Sequence, residues 1–181
     1  MKLPFKILYF SFFLILLIYV AIPSPEFPIP PNDSIQSNEP ADSETPLRRA
    51  YFTNFTREEV MTHYKEQFSK SNFLGLPFLT YSFNYPPEES QTIIRDQTRS
   101  TFLEEIAHPF RESIYVNGFE PKTQKDAIFI EGRDWRQKLI IKYSNSLLAV
   151  RVIIVSLTAI ITWFILIELK KFFKDFSLKL K

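Results

Sequence analysis

The sequence predicts a small α+β domain, an antiparallel sheet with two or three helices, flanked by N- and C-terminal transmembrane helices. Three observations carry this expectation. Two sixteen-residue runs without a charge stand near the ends of the 181-residue chain. A strong helix start lies inside the intervening segment, and β-rich stretches follow it. The near-average overall composition, 45% hydrophobic and 23% charged, conceals this concentration of apolar residues at the two ends.

The first run, Ile7 to Ile22, reads ILYFSFFLILLIYVAI and follows Lys2 and Lys6. At 1.5 Å per residue it covers roughly 24 Å, and Leu3, Pro4 and Phe5 extend it toward the ~30 Å hydrocarbon core if Lys6 snorkels. Residues 3–22 are therefore expected as a transmembrane anchor. A cleavable signal peptide is the alternative, but Tyr19 and Pro25 fit its cleavage rules poorly. Residues 23–46 hold seven prolines among Ser, Asn, Glu and Asp. Such a chain buries too little apolar surface to fold, so a disordered polyproline tether is expected.

The extracytoplasmic α+β domain is expected over 47–145. Arg49 to Thr53 reads as a short strand. Thr56 and Glu59 form a capping box, with Phe55 and Val60 spaced as a hydrophobic staple. Val60, Tyr64 and Phe68, flanked by Met61 and Gln67, then make a core-facing stripe to about Ser71, and Gly75 and Pro77 end it. Pro86-Pro87-Glu88-Glu89 opens a second helical region using Ile93, Ile94, Phe102, Leu103 and Ile106, stopped by Pro109. Thr101 and Glu104 offer another capping box, so two helices meeting near Arg99 are also compatible with this stretch. Asn117-Gly118 within SIYVNGFE reads as a type I′ hairpin turn. Ala127 to Ile130 and Lys138 to Tyr143 read as strands joined through Glu131-Gly132-Arg133-Asp134, with Leu139, Ile141 and Tyr143 on one face.

The second apolar run, Val152 to Ile167, lies in a span expected over 147–169. Residues 170–181 are a basic amphipathic tail. Lys170, Lys171 and Lys174, interleaved with Phe172, Phe173 and Phe176, suit a membrane interface bearing anionic headgroups. Lysines flank both runs on their outer sides, so both termini are expected in the cytoplasm and the middle outside. The middle, 23–146, carries 14 Lys and Arg against 18 Asp and Glu, whereas the ends net +6.

Absence of cysteine excludes disulfides, thiolate metal sites and a Cys nucleophile. Three glycines leave no phosphate-cradling loop, and a net charge of +2 gives no electrostatic case for nucleic acid. Arg95 to Glu112 is the densest polar stretch. Glu105 and His108 have the E-x-x-H spacing of helical metal ligands, with His63 between Glu59 and Glu66 as a further candidate. A solvated helix face laced with ion pairs explains the same residues, so no catalytic, metal or cofactor site is assigned. Phe78 to Phe83 offers an edge strand to a partner.

The stretch RDQTRSTFLEEIAHPFRESIYVNGFEP, Arg95 to Pro121, resembles uncharacterised membrane-anchored proteins of candidate-phyla-type bacteria, over about Arg48 to Tyr143. That resemblance implies a bacterial setting and brings no functional residues. The expected function is a non-enzymatic interaction, assembly or sensing module of the cell envelope, with the lipid bilayer and a membrane or envelope protein as partners. The alternative is a membrane-bound hydrolase or metal-dependent enzyme using Glu104, Glu105 and His108.

Overall fold

A computed structural model describes residues 2–69 and 80–179. In chain order its elements are α1 (Leu3–Ala21), β1 (Ser34–Gln36), β2 (Arg48–Thr53), α2 (Arg57–Ser69), β3 (Tyr81–Tyr85), α3 (Ser90–Ile93), β4 (Phe102–His108), β5 (Glu112–Phe119), β6 (Ile128–Ile130), β7 (Arg133–Trp135), β8 (Gln137–Asn145) and α4 (Leu148–Lys179). The fold is α+β, as the sequence predicts. The chain divides into two units: Met1–Pro23 with Ser146–Lys181, and Ser24–Asn145.

The first unit pairs α1 with α4. Tyr9 joins them: its hydroxyl donates to the Ala159 carbonyl and lies 2.6 Å from Thr162 Oγ1, and its ring sits 5.1 Å from Trp163. Phe10 packs on the same indole at 4.9 Å. Thr158 and Thr162 donate to the carbonyls of Ile154 and Thr158 one turn back, which satisfies hydroxyls that hydrocarbon would leave unpartnered. Leu3–Ala21 and Leu148–Phe176 are each long and apolar enough to cross a membrane, with mean hydropathies of 2.2 and 2.5. Span and tail form one unbroken 32-residue helix.

In the second unit a six-stranded antiparallel sheet runs in the order β1-β2-β8-β5-β4-β3. The capping box forms as expected: the Thr56 N–H donates to Glu59 Oε2 at 2.7 Å, and the Glu59 N–H donates to Thr56 Oγ1 at 3.3 Å. α2 then lays Val60, Met61, Tyr64 and Phe68 onto one sheet face, among Tyr51, Phe102, Ile106, Ile114, Val116, Leu139, Ile141 and Tyr143. Partly buried Phe55 packs against this cluster. The helix end expected at Gly75 and Pro77, and the first residues of the Phe78 to Phe83 strand, lie outside the described residues. On the opposite face, Ala50, Leu103 and Ile140 pack with Ile94, which the α3 segment supplies.

Three local expectations are corrected. The helical region from Pro86 to Ile106 is one 3₁₀ turn (Pro87–Glu89) and the single turn of α3, after which the chain extends into β4. Phe102, Leu103 and Ile106 have helix-like spacing, yet β4 is nearly internal to the sheet with both faces covered, so apolar residues occur on each side without alternation. Asn117-Gly118 is not a turn but the end of β5, paired with Leu103 and Phe102. The hairpin turns instead through Pro109–Arg111, where Phe110 takes φ +63°. Lastly, Glu131 and Gly132, at φ +55° and +75°, turn β6 directly into β7 as a separate two-stranded sheet rather than leading to β8.

The Pro-rich segment is a fourth correction. Residues 24–46 are not a free tether; they run along the domain and belong to its unit. The Gln67 side chain accepts from the Ile29 N–H at 2.8 Å and donates to the Ile29 carbonyl at 2.9 Å, a bidentate grip on the backbone. Tyr143 donates to the Pro25 carbonyl at 2.8 Å, and Phe27 packs edge-on against the Tyr143 ring beneath the Arg49 guanidinium. β1 pairs with β2. Buried Asp42 accepts from Ser37 and from Lys138, at 2.6 and 2.7 Å. Burial works to lower the Lys138 pKa, but hydrogen bonds and charge from Asp42 and Glu39 outweigh it and raise it. A segment too polar to fold alone thus docks through backbone and polar contacts, and prolines limit the entropy that docking costs.

Candidate functional site

The strand geometry of β4 decides where the candidate residues go. Side chains on a strand alternate between faces, so Glu104 and His108 lie on the α2 face while Glu105 lies on the other. The E-x-x-H spacing that aligns two groups on a helix therefore separates Glu105 from His108. Glu104 accepts from Arg57 Nε and Nη2, at 2.8 and 2.7 Å, and the Arg57 guanidinium lies over the Phe102 ring. His63 is elsewhere, on α2, with Nε2 2.9 Å from the Ile29 carbonyl. Among the described residues no three His, Asp or Glu side chains are grouped to hold a metal ion.

His108 forms part of a buried corner at the β4–β5 turn. Its Nδ1 lies 2.8 Å from Glu112 Oε1, which also accepts from Arg111 Nη2 at 3.1 Å; all three side chains are fully buried. The imidazole stacks on Phe68 with centroids 4.2 Å apart, which ties the turn to the end of α2. This arrangement fixes structure: charged and polar groups brace an exposed Phe110 tip from inside.

Among the described residues, the β3 edge of the sheet has no strand partner. β3 is the last strand of the sheet, and its sequence YSFNY contains no charge and no proline. Natural edges are usually blunted by such residues. Tyr81, Phe83 and Tyr85 fall on one face at two-residue spacing, with centroids 6.3 and 6.5 Å apart, and Tyr115 of β5 continues the row at 6.5 Å from Tyr85. Tyr81 and Phe83 are 45% and 47% exposed. Buried Glu105 anchors the inner end: the Tyr85 hydroxyl donates to its Oε2 at 2.6 Å. The sequence pointed to an edge strand here, but nothing local indicated the partnership of Tyr85, Glu105 and Tyr115, which needs three strands in register.

Glu105 also sets the chemistry of the row. Its hydrogen bond, followed by burial, pushes the Tyr85 hydroxyl up to about 12, and burial followed by Glu105 raises Tyr115. Because the proton is held more tightly in the folded chain, the Tyr85 contribution to stability is complete below pH 10 and fades as pH climbs toward 12. In an ultraviolet tyrosinate titration, with Tyr85→Phe as the subtraction, Glu105→Gln should return the Tyr85 midpoint toward its ordinary value of 10.0. An unchanged midpoint would mean that the carboxylate is not its cause.

A hollow of about 150 Å³ lies near Arg99, Asn117 and Lys138. Its charged rim is paired internally, Arg99 with Asp126 at 3.0 Å and Lys138 with Asp42 and Glu39. No protein-family model, curated protein or solved structure matches the chain.

Proposed function

We propose that this chain is a two-span protein of the cytoplasmic membrane, with both termini inside, whose external α+β domain recruits an envelope protein by accepting an extended strand of it along β3. The observation that carries the reading is the uncharged, proline-free edge at Tyr81–Tyr85 with its exposed aromatic face. Edge groups with no strand partner among the described residues can give backbone hydrogen bonds to an added strand, and alternate side chains supply selectivity. Lysines beside both apolar helices support the orientation.

A photo-crosslinking residue at Ser82 or Asn84, activated in native membranes, is expected to give one discrete protein adduct. Phe83→Lys should remove it by placing a charge on the added strand's neighbour. Protease added to intact spheroplasts should also cut the middle of the chain. Absence of any adduct, or one indifferent to Phe83→Lys, overturns the strand-docking reading. Cleavage only after lysis overturns the orientation.

A further inference from the structure

Trp163, Ile167, Lys170, Lys171 and Lys174 recur at intervals of three and four and form one stripe along α4. Together with Lys6 of α1 they line a groove of about 380 Å³ between the two helices. Its lower wall is apolar and its rim is basic. Among the described residues Glu168 pairs with Lys171 at 2.6 Å, while Lys6, Lys170 and Lys174 make no ion pair. All four lysines are exposed, and Asp175 is the other acid on this stretch of helix.

We propose that this groove binds the phosphate headgroup of an anionic phospholipid, with an acyl chain running down past Ile167 and Trp163. The proposal rests on the membrane-spanning reading above. Its specific content is that lysines from two helices, rather than the tail alone, converge on one phosphate, and that an indole marks the interfacial depth directly beneath it. Ammonium groups on flexible stems can close around a phosphate from both sides, whereas a choline headgroup cancels the charge they would meet. The exposed Phe172, Phe173 and Phe176 add interfacial anchoring beside the groove.

The full chain, reconstituted in phosphatidylcholine vesicles, tests this through Trp163 fluorescence. At equal mole fraction, chain-brominated phosphatidylglycerol is expected to quench several-fold more strongly than chain-brominated phosphatidylcholine. Lys6→Gln alone should weaken that preference, and Lys6→Gln with Lys170→Gln and Lys174→Gln should abolish it. Trp163→Phe should remove the difference, which assigns the signal to the groove. Equal quenching by the two lipids, a preference indifferent to the lysine changes, or one that survives Trp163→Phe would overturn the site. Displacement of the preference by inorganic phosphate would overturn lipid as the occupant and leave a free-phosphate site. Release of the native chain by alkaline carbonate overturns membrane insertion and the groove together; retention with equal quenching overturns the groove alone.

Discussion

Gly118→Ala should destabilise the domain by about 3 kcal/mol, because the added methyl has nowhere to go. A Cβ at this position would overlap the Cε1 and Cζ atoms of the Phe102 ring. Phe102 pairs directly across from Gly118, is 4% exposed and belongs to the main core, so its ring cannot swing into solvent without opening that core. The glycine is thus present for close packing between strands, and not for the turn its Asn-Gly context suggests. The check is the urea midpoint of the full chain in mild detergent, followed by near-ultraviolet circular dichroism. Phe102→Leu costs stability on its own, yet in the Gly118→Ala background it should recover part of the loss, giving a coupling of at least about 1 kcal/mol. Additive effects of the two changes would show that the ring does not fill the space above Gly118.

Glu112→Ala should be comparably severe, at about 3–5 kcal/mol, through the buried corner. The carboxylate receives His108 and Arg111 on one oxygen in a site with no exposed side-chain surface. Removing it takes away the carboxylate that a buried guanidinium meets at 3.1 Å, a larger penalty than the net contribution of the intact pair. Adding Arg111→Met to Glu112→Ala should therefore restore part of the stability, since both sides of the pair are then apolar. The same urea titration reads both variants. A loss under about 1 kcal/mol for Glu112→Ala would mean that this corner is open to water.

The corrections share one cause. α2 was legible because its signals are local: Thr56 and Glu59 are three residues apart, and Val60, Tyr64 and Phe68 fall on one stripe of a single helix. β8 was legible because one of its faces meets the main core, so Leu139, Ile141 and Tyr143 alternate cleanly with Ile140. The apolar spacing of β4 mimics a helix because β3 and β5 pair with its two edges while α2 and Ile94 cover its two faces, an environment supplied by residues distant in sequence. The E-x-x-H candidate failed with it. Glu105 meets Tyr85, while His108 meets Glu112 and Phe68, and no spacing rule along Arg95 to Glu112 distinguishes those fates. By its own composition the Pro-rich segment buries too little apolar surface to fold. What holds it is supplied by Gln67, Tyr143 and Lys138 from other parts of the chain.

The amino-acid sequence by itself determined two apolar helices at the ends, the lysines beside them, the α+β class of the middle and the capped helix α2, because each depends on residues within a turn or two of one another. Tertiary structure alone decided which strand ends the sheet, which face Glu105 takes, why residue 118 must be glycine and where the Pro-rich segment rests. Those outcomes depend on which backbones pair and in what register, and pairing brings together residues whose separation along the chain carries no information about their separation in space.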